Sequence, residues 1–334
     1  MDRTNTLAID LDLHTWSGDL HLDHEGHHSH WIIGLAGQHQ RNAVDGWEFL
    51  LPAYQSWRAG LYGLGRWSSP DGRLLLSGGL RGDLGQNQSG FFQRYVWNSN
   101  AEVIDSLSVP LIDARYQSLS GSAGLSYRWI PNKLDLKLNL GKSFRMPHPS
   151  ELASNGVHHG TFRHEQGNPE LRSEHGYQLD ASLDWSGSRF SAQLAGFFNY
   201  FQNYIYLAPQ AAFSPLPEAG QIFRYTQHDA LYSGFEGSWT WRWSEQWALN
   251  QAIEYVWNLN LDTWLSLPFT PHPSVRTELA WQRPLLGQHW KDLYASVSSH
   301  VFLGNGPNRV DRNERTTPGF HLLDLSVGGT VRLG

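Results

Sequence analysis

The chain has 334 residues and a net charge of −6, with 16 Trp, 13 Tyr and 15 Phe but no Cys. The lack of Cys excludes disulfide frameworks, thiolate metal sites and a Cys nucleophile, and a mildly acidic chain without a basic run gives no footprint for nucleic acid. Charged residues make up only 17%, so the chain is polar, weakly charged and aromatic. That mixture is typical of strands that show one face to lipid and the other to water.

Period-2 alternation of apolar and polar residues repeats along the chain and indicates half-buried strands. No window shows the spacing of an amphipathic helix, and no stretch approaches the ~18 consecutive apolar residues of a transmembrane helix. The sequence therefore predicts an all-β protein of about thirteen strands, several of them long enough to cross a membrane. The clearest alternating segments are, in chain order, 7–14, 134–141, 179–185, 235–243 and 253–262.

The connections between these segments fall into two classes that alternate along the chain. The short ones are clusters of turn-forming residues, and the others are long loops. This sorting predicts an antiparallel transmembrane β-barrel, with short periplasmic turns at one rim and long extracellular loops at the other. The short turns are 69–72, 131–133, 186–188 and 244–246, and the long loops are 42–56, 85–114, 146–174, 207–220, 263–274 and 304–318.

Three features lead us to expect an incomplete barrel. The predicted strand count is odd, whereas bacterial single-chain barrels have even counts. Residues 1–5 lack the charged start and apolar run of a signal peptide, so we expect no export by the chain alone. The last predicted strand, 323–333, is followed by Gly334 and has no terminal aromatic residue, which outer-membrane barrels usually carry.

Two stretches carry a resemblance to a known family. In the first, Leu-Asn-Leu-Gly-Lys-Ser-Phe-Arg-Met-Pro-His-Pro-Ser-Glu-Leu at 138–152 is followed by Asn-Gly-Val-His-His-Gly-Thr-Phe at 155–162 and Gly-Asn-Pro-Glu-Leu-Arg-Ser-Glu at 167–174. The second is Asp-Ala-Leu-Tyr-Ser-Gly-Phe-Glu at 229–236, followed by Leu-Pro-Phe-Thr-Pro-His-Pro-Ser-Val-Arg at 267–276. In this order, and over most of the chain, they resemble the barrel of TonB-dependent outer-membrane receptors.

The resemblance implies one domain, 1–334, that forms part of a 22-strand receptor barrel and lacks the family's plug domain. Such receptors capture a scarce nutrient, such as a metal, a siderophore or haem chelate, or cobalamin, and pass it through the lumen. We expect the bacterial outer membrane as the location, lipid as a partner, and contact with the TonB complex only through a plug. The alternatives left open are a passive pore, a surface-binding barrel and a non-functional gene fragment.

No enzyme activity is expected, since the sequence has no Gly-x-Ser-x-Gly elbow and no phosphate-binding Gly loop. No resident cofactor is expected either, although Zn²⁺ or a metal chelate is a candidate for the transported cargo.

Histidines and carboxylates gather in the predicted outer loop at 146–174. Neutral imidazole together with carboxylate suits Zn²⁺, and the pattern resembles that of zinc- and haem-type receptors within the family. We therefore predict a first-contact site for cargo, against the alternative that these residues are scaffold shared by the family. The predicted ligand-contact residues are His148, Glu151, His158, His159, His164 and Glu165, of which His158 and His159 are also predicted metal ligands.

The densest histidine cluster lies near the N-terminus. Imidazoles at this spacing can chelate Zn²⁺ or Cu²⁺, but counting strands places the segment at a periplasmic turn, away from the outer loops. Metal capture and a structural role are both open for it. The cluster consists of His24, His27, His28 and His30.

Overall fold

The computed structural model describes residues 7–97, 100–216, 219–286 and 290–331. Within these ranges no helix is long and apolar enough to cross a membrane. The strands are β1 (Asp10–Glu25), β2 (Ser29–Asp45), β3 (Tyr54–Ser68), β4 (Leu74–Ser89), β5 (Phe92–Trp97), β6 (Val103–Val109), β7 (Ile112–Ile130), β8 (Leu134–Arg145), β9 (Asn155–His158), β10 (Arg163–Gln166), β11 (Glu174–Ser186), β12 (Phe190–Phe213), β13 (Gln221–Arg242), β14 (Trp247–Asn260), β15 (Ser274–Leu286), β16 (Trp290–Phe302) and β17 (Phe320–Val331), and the one α-helix among them is α1 (Pro149–Ala153).

Thirteen of the strands form a single antiparallel meander in the order β1-β2-β3-β4-β7-β8-β11-β12-β13-β14-β15-β16-β17. Each long strand pairs with the next long strand along the chain, so the all-β fold and the predicted strand count are confirmed. Within the described residues β1 pairs only with β2, and β17 pairs only with β16, so the sheet has two unpaired edges there. The predictions for residues 1–5, for Leu333 and for Gly334 concern positions outside the described residues.

The two faces of the sheet differ in exposure. In β2 the residues at odd positions are exposed, and those at even positions are half-buried or buried. Trp31, Ile33 and Leu35 belong to the exposed set. We call their face the outer face and the opposite one the inner face. Because directly opposed residues of antiparallel strands share a face, the register carries both faces from one strand to the next.

The short connections lie at one rim of the sheet, which we call the turn rim. Between β3 and β4 the Gly72 amide donates to the Ser69 carbonyl oxygen at 2.9 Å, and the Leu74 amide donates to the Ser69 hydroxyl at 2.9 Å. Gly72 has a φ of +67°, which a residue without Cβ adopts at little cost. The turn-forming residues therefore reverse the chain where the sequence predicts.

The long connections lie at the opposite rim, which we call the loop rim, and they contain more structure than the sequence predicts. Inside the predicted loop at 85–114, β4 continues to Ser89, β5 pairs with β6, and β7 begins at Ile112. β12 likewise continues to Phe213 inside the predicted loop at 207–220. The sequence does not predict these strand ends because their outward-facing residues are not the regularly spaced apolar residues by which a membrane strand is recognised. The sequence also does not predict α1, which is too short to show a helical period.

The apolar cores of the protein lie in the loops. Every buried apolar residue of the described part belongs to a long loop or to the loop-side half of a strand. We call this packed set of loops the loop cap. Its larger cluster consists of Phe49, Val109, Ile112, Leu152, Ala153, Leu171 and Ile205, and its smaller cluster consists of Val96, Leu107, Val157 and Leu216.

Candidate functional site

The loop between β8 and β11 holds most of the predicted ligand-contact residues, and it begins with a capped helix. His148 precedes α1, and its Nδ1 accepts from the Ser150 amide at 3.2 Å. The Glu151 carboxylate accepts from the His148 amide at 2.7 Å. This reciprocal pattern is a capping box, which satisfies amides that a helix start leaves without partners. In this conformation the imidazole of His148 orders the loop.

Arg145, at the end of β8, ties this helix to two further strands. Its Nη1 donates to both carboxylate oxygens of Glu151 at 2.8 Å, and its Nη2 donates to Glu174 Oε2 at 3.1 Å. Glu174 begins β11 and also accepts from the Ile205 amide of β12 at 2.8 Å. One guanidinium thus joins β8, α1 and β11, and Glu174 extends the link to β12. The geometry gives Glu151 a structural contact.

His158 and His159 lie exposed at the tip of the β9–β10 hairpin and contact different partners. His158 Nδ1 lies 3.2 Å from the Thr161 hydroxyl. His159 Nε2 contacts the carboxylate of Glu48, which lies in the loop between β2 and β3. The sequence does not point to Glu48, because 111 residues separate it from His159. The fold therefore brings an imidazole and a carboxylate together at the surface of the loop cap.

His164 lies inside the loop cap, with 0% of its surface exposed. Its Nδ1 is 2.8 Å from Ser214 Oγ, and its Nε2 is 3.0 Å from Asn155 Oδ1. Because an amide oxygen only accepts, Nε2 carries the proton and Nδ1 accepts from the Ser214 hydroxyl. Burial lowers the pKa of His164, against an opposing effect of Asp105. A neutral imidazole with both nitrogens engaged packs the cap, and cargo would reach it only after the cap opened.

Glu165 lies where the hairpin meets the wall of strands. β10 pairs in parallel with residues 222–224 of β13, beyond the point where β14 ends at Asn260. Glu165 lies opposite Phe223 of β13 in this pairing. The hairpin thus occupies the β13 edge that β14 leaves uncovered.

Sequence reasoning missed a group of phenols on β12 and β13, close to the loop cap. The Tyr232 hydroxyl donates to the Tyr204 hydroxyl at 3.0 Å, and Asn260 Nδ2 donates to the Tyr206 hydroxyl at 3.0 Å. The rings of Tyr204 and Tyr206 stack with centroids 6.1 Å apart. Their two-residue spacing on one strand places them on one face. This spacing could have predicted from the sequence that the two phenols lie together.

The N-terminal histidine cluster lies at the turn rim, and its imidazoles diverge. His24 stacks on Trp31 of the outer face, with ring centroids 5.0 Å apart. His30 points to the inner face, where its Nε2 lies 2.6 Å from Asp23 Oδ1. Across the described ranges no group of three or more His, Cys, Asp or Glu side chains is placed to hold a metal ion. Metal binding by this cluster, and by His158 and His159, stays a prediction.

Residues 24–28 read His-Glu-Gly-His-His, which has the His-Glu-x-x-His spacing of helical zinc sites. On a helix that spacing puts both imidazoles on one face. Here His24 belongs to β1, whereas His27 and His28 form the turn before β2. Because this segment is not a helix, the spacing does not bring the imidazoles of His24 and His28 to one face.

An antiparallel meander of long strands, with short turns at one rim and packed loops at the other, defines the class of outer-membrane barrels. The family model described as TonB dependent receptor-like, beta-barrel matches residues 2–334. The chain therefore belongs to the family of TonB-dependent receptor β-barrels. The resemblance carried by 138–174 and 229–276 is confirmed.

Solved structures with the same fold are transporters and receptors. The copper transporter OprC matches with a TM-score of 0.75 and 19% identity, over 95% of this chain and 48% of that chain. The Serratia marcescens hemophore receptor HasR, in complex with its hemophore HasA and heme, matches with a TM-score of 0.64 and 18% identity, over 95% and 54%. The ferric enterobactin receptor PfeA of Pseudomonas aeruginosa matches with a TM-score of 0.65 and 16% identity, over 98% and 47%. This chain thus spans about half the length of each, and likeness at these identities shows the fold alone.

Proposed function

We propose that the chain forms part of the wall and outer loops of an outer-membrane receptor that takes up a metal ion or a metal chelate. Family membership supports a receptor barrel, and similar structures handle copper, heme and ferric enterobactin. A metal ion or metal chelate is proposed as the cargo because His158 and His159 are exposed on the loop cap and His159 contacts Glu48.

The proposed mechanism begins with capture at the tip of the β9–β10 hairpin. Neutral imidazole and carboxylate are ligands that suit Zn²⁺ and Cu²⁺, and His159 already lies against Glu48. The buried contacts of His164 with Ser214 and Asn155 keep the hairpin in place, so cargo meets an ordered surface. The cargo then follows the inner face, where polar side chains such as Lys137 and Asp184 line the path.

In this proposal the outer face meets the lipid of the outer membrane. Lipid contact accounts for large apolar side chains that are exposed there, such as Leu20 with 74% of its surface accessible. Unpaired backbone groups in lipid cost several kcal/mol each, so we propose that further barrel strands pair with β1 and β17. Contact with the TonB complex would be made through the plug domain of the family. Neither catalysis nor nucleic-acid binding is part of the proposal.

Calorimetry on the chain refolded in detergent micelles tests the capture site, with Zn²⁺, Cu²⁺ and haem titrated separately. We expect His158→Ala/His159→Ala to weaken binding of the preferred cargo at least about tenfold, because both exposed imidazoles are lost. The control His39→Ala/His300→Ala removes two imidazoles of β2 and β16 that are not among the predicted metal ligands and should leave the affinity unchanged. The capture site is contradicted if none of the three probes binds, or if the His158/His159 variant binds as the unsubstituted chain does.

A second candidate function is an ungated pore, for which the polar inner face, with side chains such as Lys137 and Asp184, would supply the lining. Liposome swelling with sugars of increasing size separates the two functions. A receptor with closed loops should give little swelling, whereas rapid entry of small sugars without cargo binding would favour the pore.

A further inference from the structure

The inner face carries buried polar side chains where the wall of strands meets the loop cap. Asn42 of β2, Tyr54 of β3 and Ser89 of β4 are directly opposed, so they lie side by side on this face. Asn87 lies two residues before Ser89 and therefore on the same face of β4. We call Asn42, Asn87 and Ser89 the polar seat, since each of the three is more than nine-tenths buried.

The start of the loop between β8 and β11 covers the polar seat. Asn87 Nδ2 donates to the Pro147 carbonyl oxygen at 2.6 Å. The next residue, His148, packs edge-on against the Tyr54 ring, with centroids 5.9 Å apart. We call residues 146–153, which end with α1, the covering segment. It touches the wall of strands through consecutive residues.

The covering segment also borders a cavity of about 920 Å³ on the inner face. Met146 lines this cavity at its loop-side end, together with wall residues such as Arg58 and Tyr62. Met146 packs closely on β4, because a Cβ added at Gly85 would lie 2.7 Å from its Sδ. Lifting the covering segment would therefore open the cavity towards the loop rim.

The contact between the covering segment and the wall includes both favourable and unfavourable parts. Ile112, beside Ser89 in the same register row, packs in one apolar cluster with Leu152 of α1, which favours the covered state. Within the described part of the chain, however, Asn42 Nδ2 and Ser89 Oγ are buried without a hydrogen-bond partner. Such atoms destabilise the state that buries them, since water would bond to them once the segment lifted.

We propose that the covering segment is a gate, which lifts from the polar seat and opens the inner-face cavity to the loop rim. Lifting breaks the bond from Asn87 to Pro147 and the bonds from Arg145 to Glu151, so Arg145 acts as a latch. It also lets water reach Asn42 and Ser89, which offsets part of this loss. What passes the gate rests on the proposed function, whereas its opening requires no cargo.

Thiol labelling of the full chain in detergent micelles measures the opening, because the chain contains no Cys. Ser56 is buried and lies opposite Asn87, so the thiol of Ser56→Cys would lie beneath the covering segment. A charged methanethiosulfonate reagent should reach this thiol only when the segment lifts. The thiol of Ser122→Cys, at an exposed position of the inner face on β7, should react at least about tenfold faster.

Apolar replacement of the polar seat separates a gate from an ordinary structural contact. Ser89→Ala and Asn42→Leu each remove an atom that the covered state leaves unpaired, so each should slow labelling of the Ser56→Cys thiol about fivefold. If these polar groups held the segment in place instead, the same variants would speed the labelling. Ser77→Ala is the matched control for Ser89→Ala, because Ser77 lies exposed on the same face of β4, and it should leave the rate unchanged.

Removal of the latch should act in the opposite direction. Arg145→Met should speed labelling of the Ser56→Cys thiol at least about fivefold, because the bonds to Glu151 no longer hold the covering segment. Ala114→Cys, on the β7 side of Asn87, replaces Ser56→Cys as the reporter if the latter fails to fold.

Three results would overturn the gate. They are faster labelling in Ser89→Ala, a Ser56→Cys thiol that never reacts, and equal labelling rates for Ser56→Cys and Ser122→Cys. All of these measurements are made without metal ions or haem. A gate that fails them is therefore distinguishable from a failure of the capture site, which is measured by binding of those probes.

Discussion

The wall of strands and the loop cap are held together by different forces. In the wall, large apolar side chains such as Leu61 are 58% exposed, and neighbouring strands are joined by backbone hydrogen bonds. In the cap, Leu152 is 1% exposed and packs within a cluster of buried residues from several loops. The wall exposes apolar side chains, as suits an apolar solvent. The cap buries apolar side chains away from water, as a small soluble protein does.

This difference predicts which region of the protein loses more stability when a side chain is made smaller. With the outer face in lipid, as proposed, lipid can refill the space left by a smaller wall residue, but a smaller cap residue leaves a cavity among fixed neighbours. The same chemical change should therefore have unequal effects in the two regions.

The largest effect is expected for Leu152→Ala. Removing this buried side chain should lower the local stability of the loop cap by about 2–5 kcal/mol, because a cavity remains in the larger cluster. Hydrogen exchange of the refolded chain should quicken around Phe49, Val109 and Ile205. Leu61→Ala on the outer face is the matched control and should leave exchange in the cap unchanged. Equal effects of the two variants would show that wall and cap are not distinct in this sense.

Next comes Arg145→Met, which removes the guanidinium that joins the cap to the wall. Glu151 and Glu174 would keep their half-buried positions without their charged donor, at a cost of about 1–3 kcal/mol. Exchange in α1 should quicken more than exchange in β8. The control Arg128→Met removes an exposed partner of Asp135 near the turn rim and should cost less than about 1 kcal/mol. A cap that stays protected without Arg145 would contradict the linking role.

The third prediction concerns pH and His164. Burial holds the folded-state pKa of His164 below its ordinary value of 6.5. Below pH 6.5 an opened cap would bind a proton that the closed cap does not, so stability should be constant above this pH and fall as the pH drops toward the folded-state pKa. Hydrogen exchange of β9 and β10 measured across this range should show the loss, and His164→Gln should remove that part of the pH dependence. Loosening on raising the pH instead would contradict the assignment.

The smallest effect is expected for Lys137→Met. Lys137 Nζ lies 2.6 Å from Asp184 Oδ2 on the inner face, but both side chains retain contact with solvent. Such a pair contributes about 1 kcal/mol or less, so thermal unfolding should change little at low salt and less at high salt. A large loss would show that the inner face is drier than its exposure indicates.

The strands and turns of the wall could be predicted because their signals are local. Alternation at 134–141 and the turn at 69–72 both appear in the structure as the sequence predicts. The loops were predicted as connections only, and the continuation of β4 to Ser89, the β5–β6 pair and α1 were missed. Among the candidate residues, the structure gives structural contacts to His148, Glu151 and His164. Cargo binding stays a prediction for all six ligand-contact residues, which are His148, Glu151, His158, His159, His164 and Glu165.

The barrel class and the strand count could be predicted from the sequence alone because alternation and turn residues are local signals, and the family could be predicted from ordered motif blocks. How the loops meet depends on the tertiary structure. Glu48 reaches His159 across 111 residues, and Ser214 reaches His164 across 50. No period along the chain encodes such contacts, since they depend on where antiparallel strands deliver their loops at a common rim.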